Sequence, residues 1–305
     1  MDNKGIPLGK LLRRDRALIL MFLPIFLYYF IFCYLPMPGI LIAFKNYTPG
    51  QGIFGGDWVG FKWLLQFVNS RYFWRLLRNT FLLAFYPLVI GFGVPILFAI
   101  CVVELKNGLF KRFAQTVTYL PHFISTVVIA GMIINFLSPT DGIVNTLLAS
   151  LGMERINFMM APEWFRTIFT ASGIWQSFGF SSIIYIAAIM GIDQEMYESG
   201  RIDGVNKFQE VWHLTLPSLK PTIVILLLLS IGSIMSVNFE KVYLLYNGAT
   251  YETADVISTY VYRQGIESQN FGFATAVGLF NSVISFALVF FANRLSRRVN
   301  DMSLW

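Results

Sequence analysis

Seven amide and aromatic residues stand in or beside long apolar runs of this sequence, where polar side chains are rare. They are Asn135, Trp175, Gln176, Tyr185, Asn238, Tyr243 and Asn281. Polar groups in such runs usually face protein or water, because exposing them to hydrocarbon is costly. Amides bond hydroxyl groups and aromatic rings stack on flat C–H faces, so the set suits the passage of a sugar. The alternative is hydrogen bonding between neighbouring helices, which amides commonly provide.

Charged side chains form no comparable group within the apolar runs. Glu240 and Lys241 are adjacent, so they do not share a helix face, and they lie near one end of a run. Long side chains at such positions extend to the interface. The lack of charge deeper in the runs favours a neutral solute and leaves uronic-acid sugars open. It also argues against an ion channel, which would place rings of charge along its pore.

The histidines and the motifs of the sequence do not indicate an enzyme. His122 and His213 are the two histidines, and they lie in different regions without the clustered ligands that a metal site needs. The chain has no Gly-x-Ser-x-Gly elbow and no Gly-x-x-x-x-Gly-Lys-[Ser/Thr] loop, which would hold phosphate. We therefore expect a chain that is not itself an enzyme and holds no metal or cofactor.

A polar stretch of 26 residues, MYESGRIDGVNKFQEVWHLTLPSLKP, separates two apolar runs at Met196–Pro221. Its pattern is typical of two short helices. Gly204 can end the first in the left-handed conformation, and Asn206 with Gln209 has the spacing of a capping box for the second. Pro217 is expected to end the second helix. Because connecting loops have a median length of about 4–6 residues, this stretch is long for a simple connector.

Apolar side chains also occur within the polar stretch. They are Met196, Ile202, Val205, Phe208, Val211 and Trp212. An apolar patch on a hydrophilic face usually marks a partner surface, so the stretch is predicted to bind another protein. The alternative is a helix-turn-helix that only joins two spans.

Six apolar runs are long enough to cross a hydrocarbon core of about 30 Å as helices. They are Ala17–Leu35, Asn79–Val103, Thr116–Leu137, Thr167–Ile189, Pro221–Tyr246 and Gly272–Ala292. Only 13% of the residues are charged, about half of what a soluble domain carries. The sequence predicts an all-α, polytopic membrane protein with six transmembrane helices in the lipid bilayer.

The distribution of Lys and Arg predicts the orientation. With six spans both termini lie on one side, and that side carries 14 of the 23 basic residues. Because cytoplasmic loops are enriched in Lys and Arg, both termini and the polar stretch are expected to be cytoplasmic. The net charge of +6 then reflects topology and not nucleic-acid binding. The predicted organisation is a cytoplasmic tail at 1–16, a transmembrane domain at 17–294 with the polar loop at about 191–220, and a cytoplasmic tail at 295–305.

The segment YESGRIDGVNKFQEVWHLTLPSLKP resembles the signature loop of binding-protein-dependent ABC importer permeases. The family pattern is Glu-Ala-Ala, three residues to Gly, then Ile or Leu-Thr-Leu-Pro. The matching residues are Glu198, Asp203, Gly204, Leu216 and Pro217. Ser199 and Gly200 replace the two alanines; both are small, so close packing is retained, although Gly200 weakens the helix by about 1 kcal/mol relative to Ala.

The resemblance extends over nearly the whole chain from Ala17 to Arg298. The segments WVGFKWLLQF, YFWRLLRNTF, YLPHFISTVVIAGMI and NFEKVYLLYNGATYETADVISTYVYRQG are similar to those of carbohydrate importer permeases. The nearest group is the maltose-type and oligosaccharide permeases that serve polysaccharide breakdown, often in Gram-positive bacteria.

The resemblance implies a function for the polar stretch and a set of partners. The stretch would form coupling helices that dock into a cytoplasmic ATPase, with Glu198 contacting the ATPase and Gly204 allowing the turn. A dimer of ABC ATPases would bind ATP and Mg and hydrolyse the ATP. A second, homologous permease and an extracellular solute-binding protein would complete the complex in the bacterial plasma membrane. The expected solute is a carbohydrate, with a permease for a non-sugar solute, and less so an ion channel, as the alternatives.

Overall fold

The computed structural model describes residues 15–232, 234–235 and 237–300. This part of the chain is mainly helical, and the strands found in it are one antiparallel pair of two residues each, β1 (Lys45–Asn46) and β2 (Asp57–Trp58). Five helical segments are long and apolar enough to cross a membrane, and there are six if one bent pair of helices forms a single span. The prediction of an all-α polytopic membrane protein is confirmed. Most of the predicted tail at 1–16, and the end of the tail at 295–305, lie outside the described residues.

Fourteen α-helices are found in the described part of the chain. They are α1 (Arg16–Tyr29), α2 (Lys62–Val68), α3 (Phe73–Glu104), α4 (Leu109–Tyr119), α5 (Thr126–Phe136), α6 (Ile143–Ser150), α7 (Pro162–Met190), α8 (Gln194–Ile202), α9 (Lys207–Glu210), α10 (Leu216–Gly232), α11 (Phe239–Leu245), α12 (Tyr251–Ala254), α13 (Ile257–Tyr262) and α14 (Phe271–Asn300). Short 3-10 helices occur at Met37–Phe44, Leu120–Phe123 and Phe158–Met160, and π-helical turns at Phe30–Tyr34, Val211–Thr215 and Arg263–Glu267.

The first span differs from the others in its exposure. No residue of α1 or of the π-helical turn that follows it is buried. The 3-10 helix after them returns to the bundle, where it packs against α14 and buries Ala43. Because α1 is apolar on all sides, its surface suits lipid or the helix of another chain.

The third apolar run is bent and not straight. The helical segment Leu109–Phe123 and α5 meet at 102°, across a break at Ile124 and Ser125. Pro121 lies three residues before the break, in the 3-10 turn Leu120–Phe123, and its missing backbone N–H removes one hydrogen bond from the α-helical pattern. Ser125 then starts α5, because its Oγ accepts a hydrogen bond from Val128 N at 3.4 Å. The expectation of one unbroken helix over Thr116–Leu137 is therefore wrong.

The prediction that Pro217 ends a helix is also wrong. The helical segment runs without interruption over Lys207–Gly232, through a π-helical turn at Val211–Thr215 placed just before the proline. Wider i→i+5 turns accommodate a missing donor that a regular helix would not. Ser218 Oγ also donates to Leu214 O at 2.8 Å. The fifth span therefore begins inside the polar loop.

The other end of the fifth run is interrupted as well. Helix α10 ends at Gly232, and the next helix, α11, starts after Asn238, whose side chain caps it by accepting from Lys241 N at 3.1 Å. The predicted span at Pro221–Tyr246 is thus a long helix followed by a break and a short helix. At the C-terminal side, α14 continues to Asn300, beyond the predicted end of the last span at Ala292.

The bundle has two ends that the polar contacts define. Helices α3 and α7 pack along each other through its middle, with α4 against α7 and α14 against α10. The loop end holds α8 and α9, which lie beside the C-terminal residue of α3, Glu104. The Asp255 end is where Arg75 of α3 and Arg263 meet Asp255. The candidate site residues therefore form two groups, one at the loop end and one inside the bundle between the two ends.

Candidate functional site

The polar loop at the loop end forms α8 and α9 joined by a tight turn. Gly204 has a φ of +78°, in the left-handed region that glycine adopts without strain. Asn206 Oδ1 accepts from Gln209 N at 3.0 Å, and Gln209 Oε1 accepts from Asn206 N at 3.0 Å. The predicted left-handed glycine and capping box are confirmed. Asp193 starts α8 by accepting from Glu195 N at 3.0 Å.

Side chains that the sequence did not single out fasten this loop to the long helices. The hydroxyls of Tyr197 on α8 and Thr215 lie 3.1 Å apart and are buried. Lys207 Nζ lies 2.9 Å from a carboxylate oxygen of Glu104 and 3.1 Å from one of Glu210. No local signal could have found the Lys207–Glu104 pair, because the two residues are 103 positions apart. These contacts connect the loop to α3 and to the π-helical turn that leads into α10.

The outward side of the loop is a mixture of apolar and small polar groups. Ile202, Phe208 and Trp212 are 87%, 77% and 61% exposed, and the last two stack with ring centroids 6.4 Å apart. Glu198 and Ser199 are exposed on α8. Exposed apolar groups of this size on a polar loop indicate a binding surface.

The remaining residues of the signature pattern have different surroundings. Asp203 and Pro217 are exposed and Leu216 is half-buried. Gly200 is buried, and a Cβ there would lie 2.9 Å from Leu214 Cδ1. The alanine usual in the pattern would therefore require Leu214 to move, so glycine at 200 allows the closer packing of α8.

Between the two ends lies a cavity of about 730 Å³. Its walls come from α3, α7, α10 and the segment 234–241. Most of the lining is aliphatic and aromatic, and a few polar groups converge on it: Gln176, Ser177, Ser181, Tyr185, Ser230, Asn238 and Lys241. A concave, mainly apolar site with a few placed polar groups is the usual form of a small-molecule site.

Three of the seven predicted pathway residues line this cavity. Gln176 Nε2 donates to Ile124 O at 3.4 Å, a long bond that leaves the amide oxygen free to accept. Asn238 caps α11 from the rim, and Tyr185 is almost fully buried in the wall.

The other four lie elsewhere. Asn281 Nδ2 donates to Met235 O at 3.3 Å and so joins α14 to the segment after α10, the interhelical alternative. Asn135 and Trp175 are exposed outside the cavity lining. Tyr243 lies in an aromatic cluster, 5.4 Å from Phe239 and 5.1 Å from Tyr262 between ring centroids.

Lys241 is placed differently from the sequence expectation. Its side chain does not extend to the interface, since the residue is only 2% exposed. The Nζ atom donates to Phe169 O at 3.3 Å and lies 5.2 Å from the centroid of the Phe169 ring. Because Lys241 lines the cavity, the expectation that the deep part of the bundle carries no charge is wrong.

The Asp255 end is held by a network of ion pairs and amide contacts. Asp255 is fully buried and accepts from Arg263 at 2.7 Å and from Arg75 at 3.3 Å. Burial alone would lower the pKa of Arg263, but its hydrogen bonds to Asp255 and Tyr246, together with the charge of Asp255, outweigh burial and raise that pKa. Asn79 of α3 donates to the backbone oxygens of Glu252 and Asp255 and accepts from Arg166 of α7. This network connects the ends of α3 and α7 to α12 and to the residue that follows it, Asp255.

The sequence model of the family described as binding-protein-dependent transport system inner membrane component matches residues 91–301. The chain belongs to this family. The permease is 40% identical over 303 residues to Protein LplB of Bacillus subtilis (strain 168), an alignment that covers 99% of this chain and 95% of LplB. It is 40% identical over 292 residues to the polygalacturonan/rhamnogalacturonan transport system permease protein YteP of the same organism, covering 96% and 91%.

Solved structures show the same similarity. One chain of a bacterial alginate ABC transporter, crystallised in complex with an alginate pentasaccharide-bound periplasmic protein, matches this permease with a TM-score of 0.90 and 42% identity. The match covers 97% of this chain and 99% of that chain. The predicted family is confirmed, and this permease is a multi-pass membrane subunit of an ABC importer.

Proposed function

We propose that this permease imports an oligosaccharide released by polysaccharide breakdown. The observation that carries the proposal is the cavity between α3, α7 and α10, where amide and hydroxyl groups converge among aromatic and aliphatic walls. Such a lining bonds sugar hydroxyls and contacts the C–H faces of the ring. Support also comes from the relatives, one named for polygalacturonan and rhamnogalacturonan transport and another for import of the acidic polysaccharide alginate.

The complex that performs the transport would contain four kinds of subunit. This chain would pair with a second, homologous permease, and a dimer of ABC ATPases would bind ATP and Mg and hydrolyse the ATP on the cytoplasmic side. An extracellular solute-binding protein would deliver the sugar. The absence of a phosphate-binding loop from this sequence supports a separate ATPase, and the relative solved with a periplasmic protein supports the delivery subunit. Both termini would be cytoplasmic.

The loop end would couple the ATPase to the cavity. Glu198 and the exposed Ile202, Phe208 and Trp212 would form the docking surface. When the ATPases close, the loop would move as a unit, because the Gly204 turn and the capping box hold its two helices together. The Tyr197–Thr215 and Lys207–Glu104 contacts would pass this motion to α10 and α3, which line the cavity. Alternating access of this kind is largely rigid-body.

The test is ATP-driven uptake by the complete complex. The chain is co-expressed with its partner permease, ATPase and solute-binding protein, and the purified complex is placed in proteoliposomes. We expect uptake of radiolabelled oligosaccharides, no uptake without ATP, and two different permease chains in each complex. Transport of amino acids or inorganic ions but of no oligosaccharide would show that the solute class is wrong. A transport-competent complex with only this permease would refute the pairing.

A further inference from the structure

Lys241 is the one charged side chain among the described residues that line the cavity. It belongs to α11, and it approaches α7 near Phe169 and Gly173. Phe169 lies seven residues into α7, about 10 Å along the helix from Pro162 at 1.5 Å per residue. The ammonium group is therefore inside the bundle wall, on the route that a solute would follow through the cavity.

The hydrogen-bonding capacity of this ammonium is mostly unused. A lysine carries three N–H donors, and within the described part of the chain Nζ donates to Phe169 O alone. No carboxylate of the described residues lies within 4.0 Å of it. The two arginines at the Asp255 end differ in this respect, because Arg75 and Arg263 share the carboxylate of Asp255.

An ammonium buried without a counter-ion is costly for the folded chain, since its charge has lost water and gained little in return. The ring of Phe169, 5.2 Å from Nζ, provides only a partial substitute. Glycine at position 173 keeps the space beside the ammonium open, as a Cβ there would lie 3.5 Å from Nζ. The chain therefore holds a positive charge with free donors and free space beside it, in the wall of the cavity.

We propose that Lys241 binds a carboxylate of the transported solute, so that the solute is an acidic oligosaccharide. This inference rests on the proposed import of oligosaccharides and adds the charge of the substrate. A uronic acid residue would place its carboxylate against Nζ and its hydroxyls against Gln176 and Asn238, which line the same cavity. An ammonium–carboxylate hydrogen bond is about twice as strong as one between neutral groups. The same contact can release the solute, because it is one bond and not a bidentate clamp.

The test compares an acidic and a neutral trisaccharide in the complete complex. The probes are trigalacturonate and the same trisaccharide with its carboxyl groups reduced to alcohols. Three variants change the lysine: Lys241→Gln and Lys241→Met remove the charge, and Lys241→Arg keeps it. Glu240→Gln is the matched control, since it changes the adjacent charge, which is exposed and outside the cavity lining. Assembly with the partner subunits and sugar-free ATP hydrolysis are measured first for every variant.

We expect Lys241→Gln and Lys241→Met to lower trigalacturonate uptake at least about tenfold, as the loss of one buried charge pair does. Lys241→Arg should retain most of the uptake, and Glu240→Gln should match the wild type. Uptake of the reduced trisaccharide, where the wild type shows any, should not fall in the neutral variants. Sugar affinity of the isolated binding protein is the same in every arm, so the effect would belong to the permease.

Each other outcome has its own meaning. If the wild-type complex imports neither trisaccharide nor any other oligosaccharide, the proposed function fails. If it imports only neutral sugars, the function stands and the acidic substrate is wrong. Equal trigalacturonate uptake by the wild type and Lys241→Gln overturns the binding role of the lysine. Loss of trigalacturonate uptake in Lys241→Arg as well as in the neutral variants would also overturn it. Failure of both neutral variants to assemble would do the same, because either result would make Lys241 a structural group.

Discussion

The turn at Gly204 admits few residue types, because its φ of +78° lies in the left-handed region. Proline holds φ near −65° and cannot adopt this turn. In Gly204→Pro the turn must be rebuilt, at about 1–3 kcal/mol of backbone strain. We expect the complex to assemble, since the long helices are unchanged, and sugar-stimulated ATP hydrolysis and uptake to fall together. Both rates are measured in proteoliposomes.

The matched control for this prediction is Gly191→Ala. Gly191 is also at the loop end, but its φ is negative and a new Cβ would make only ordinary contacts of 3.5 Å or more. Its uptake should equal that of the wild type. Normal stimulated hydrolysis in Gly204→Pro would show that the turn does not transmit motion.

Glu198 is exposed on α8 and tests the docking surface directly. Glu198→Lys places a positive charge where the ATPase is expected to offer a basic residue, and like charges at a desolvated contact cost several kcal/mol. Uptake should fall by about tenfold or more, since each 1.4 kcal/mol is a factor of ten. Glu154→Lys makes the same charge change at an exposed site between α6 and α7, on the side opposite to the termini in the proposed six-span topology, and should not affect coupling. If Glu198→Lys takes up sugar at the wild-type rate, the loop only connects two spans and does not couple them to the ATPase.

How far single residues could be predicted depends on how local their signals are. Gly204, Asn206 and Gln209 act within a few positions of one another, so the sequence identified their conformation and capping correctly. The position of Lys241 was predicted wrongly because it depends on contacts that are distant in sequence. Adjacency to Glu240 shows that the two side chains point apart, but which one points inward depends on how α11 packs against α7, and no sequence pattern carries that information.

Helices α4 and α7 come together at a glycine, and this contact can be tested. A Cβ at Gly179 of α7 would overlap the carbonyl oxygen of Thr118 in α4. Gly179→Ala should therefore push the two helices apart, and overpacking of this kind destabilises by about 1–3 kcal/mol. We expect a lower thermal midpoint of the assembled complex in detergent. Gly93→Ala, on α3 with no atom within 4 Å of the new Cβ, should leave the midpoint unchanged or raised. A wild-type midpoint for Gly179→Ala would contradict the close approach.

The helices were predicted well where hydropathy alone decides, and less well where prolines intervene. Residue composition is enough to locate α3, α7 and α14, since a long apolar run must be helical to cross a bilayer. The effect of a proline depends on its surroundings. After Pro121 the helix continues only as a short 3-10 turn and the chain then bends by 102°, whereas at Pro217 a π-helical turn lets the helix continue. The two proline-containing segments, LPHF and LPSL, give no indication of this difference.

The orientation of the whole molecule can be measured by labelling single cysteines. Cys33 and Cys101 are exposed and must first be replaced by serine. Cysteines introduced at Asn3 and Ser303 should react with a membrane-impermeant maleimide only after permeabilisation, because most of the basic residues lie on their side. A cysteine at Glu154 should react in intact cells. Labelling of position 3 or 303 in intact cells would reverse the proposed orientation.

The uniform exposure of α1 bears on the order in which the chain enters the membrane during translation. This helix leaves the ribosome before the other described helices, when none of them exists to shield it, and its apolar surface allows it to remain in lipid alone. Helix α3 follows with Asn79, whose partners Arg166, Glu252 and Asp255 are synthesised 87 to 176 residues later. Until they arrive, that amide has no protein partner from the Asp255 end. Helix α1 can therefore hold the nascent chain at the membrane until the hydrogen-bond partners of Asn79 have been synthesised.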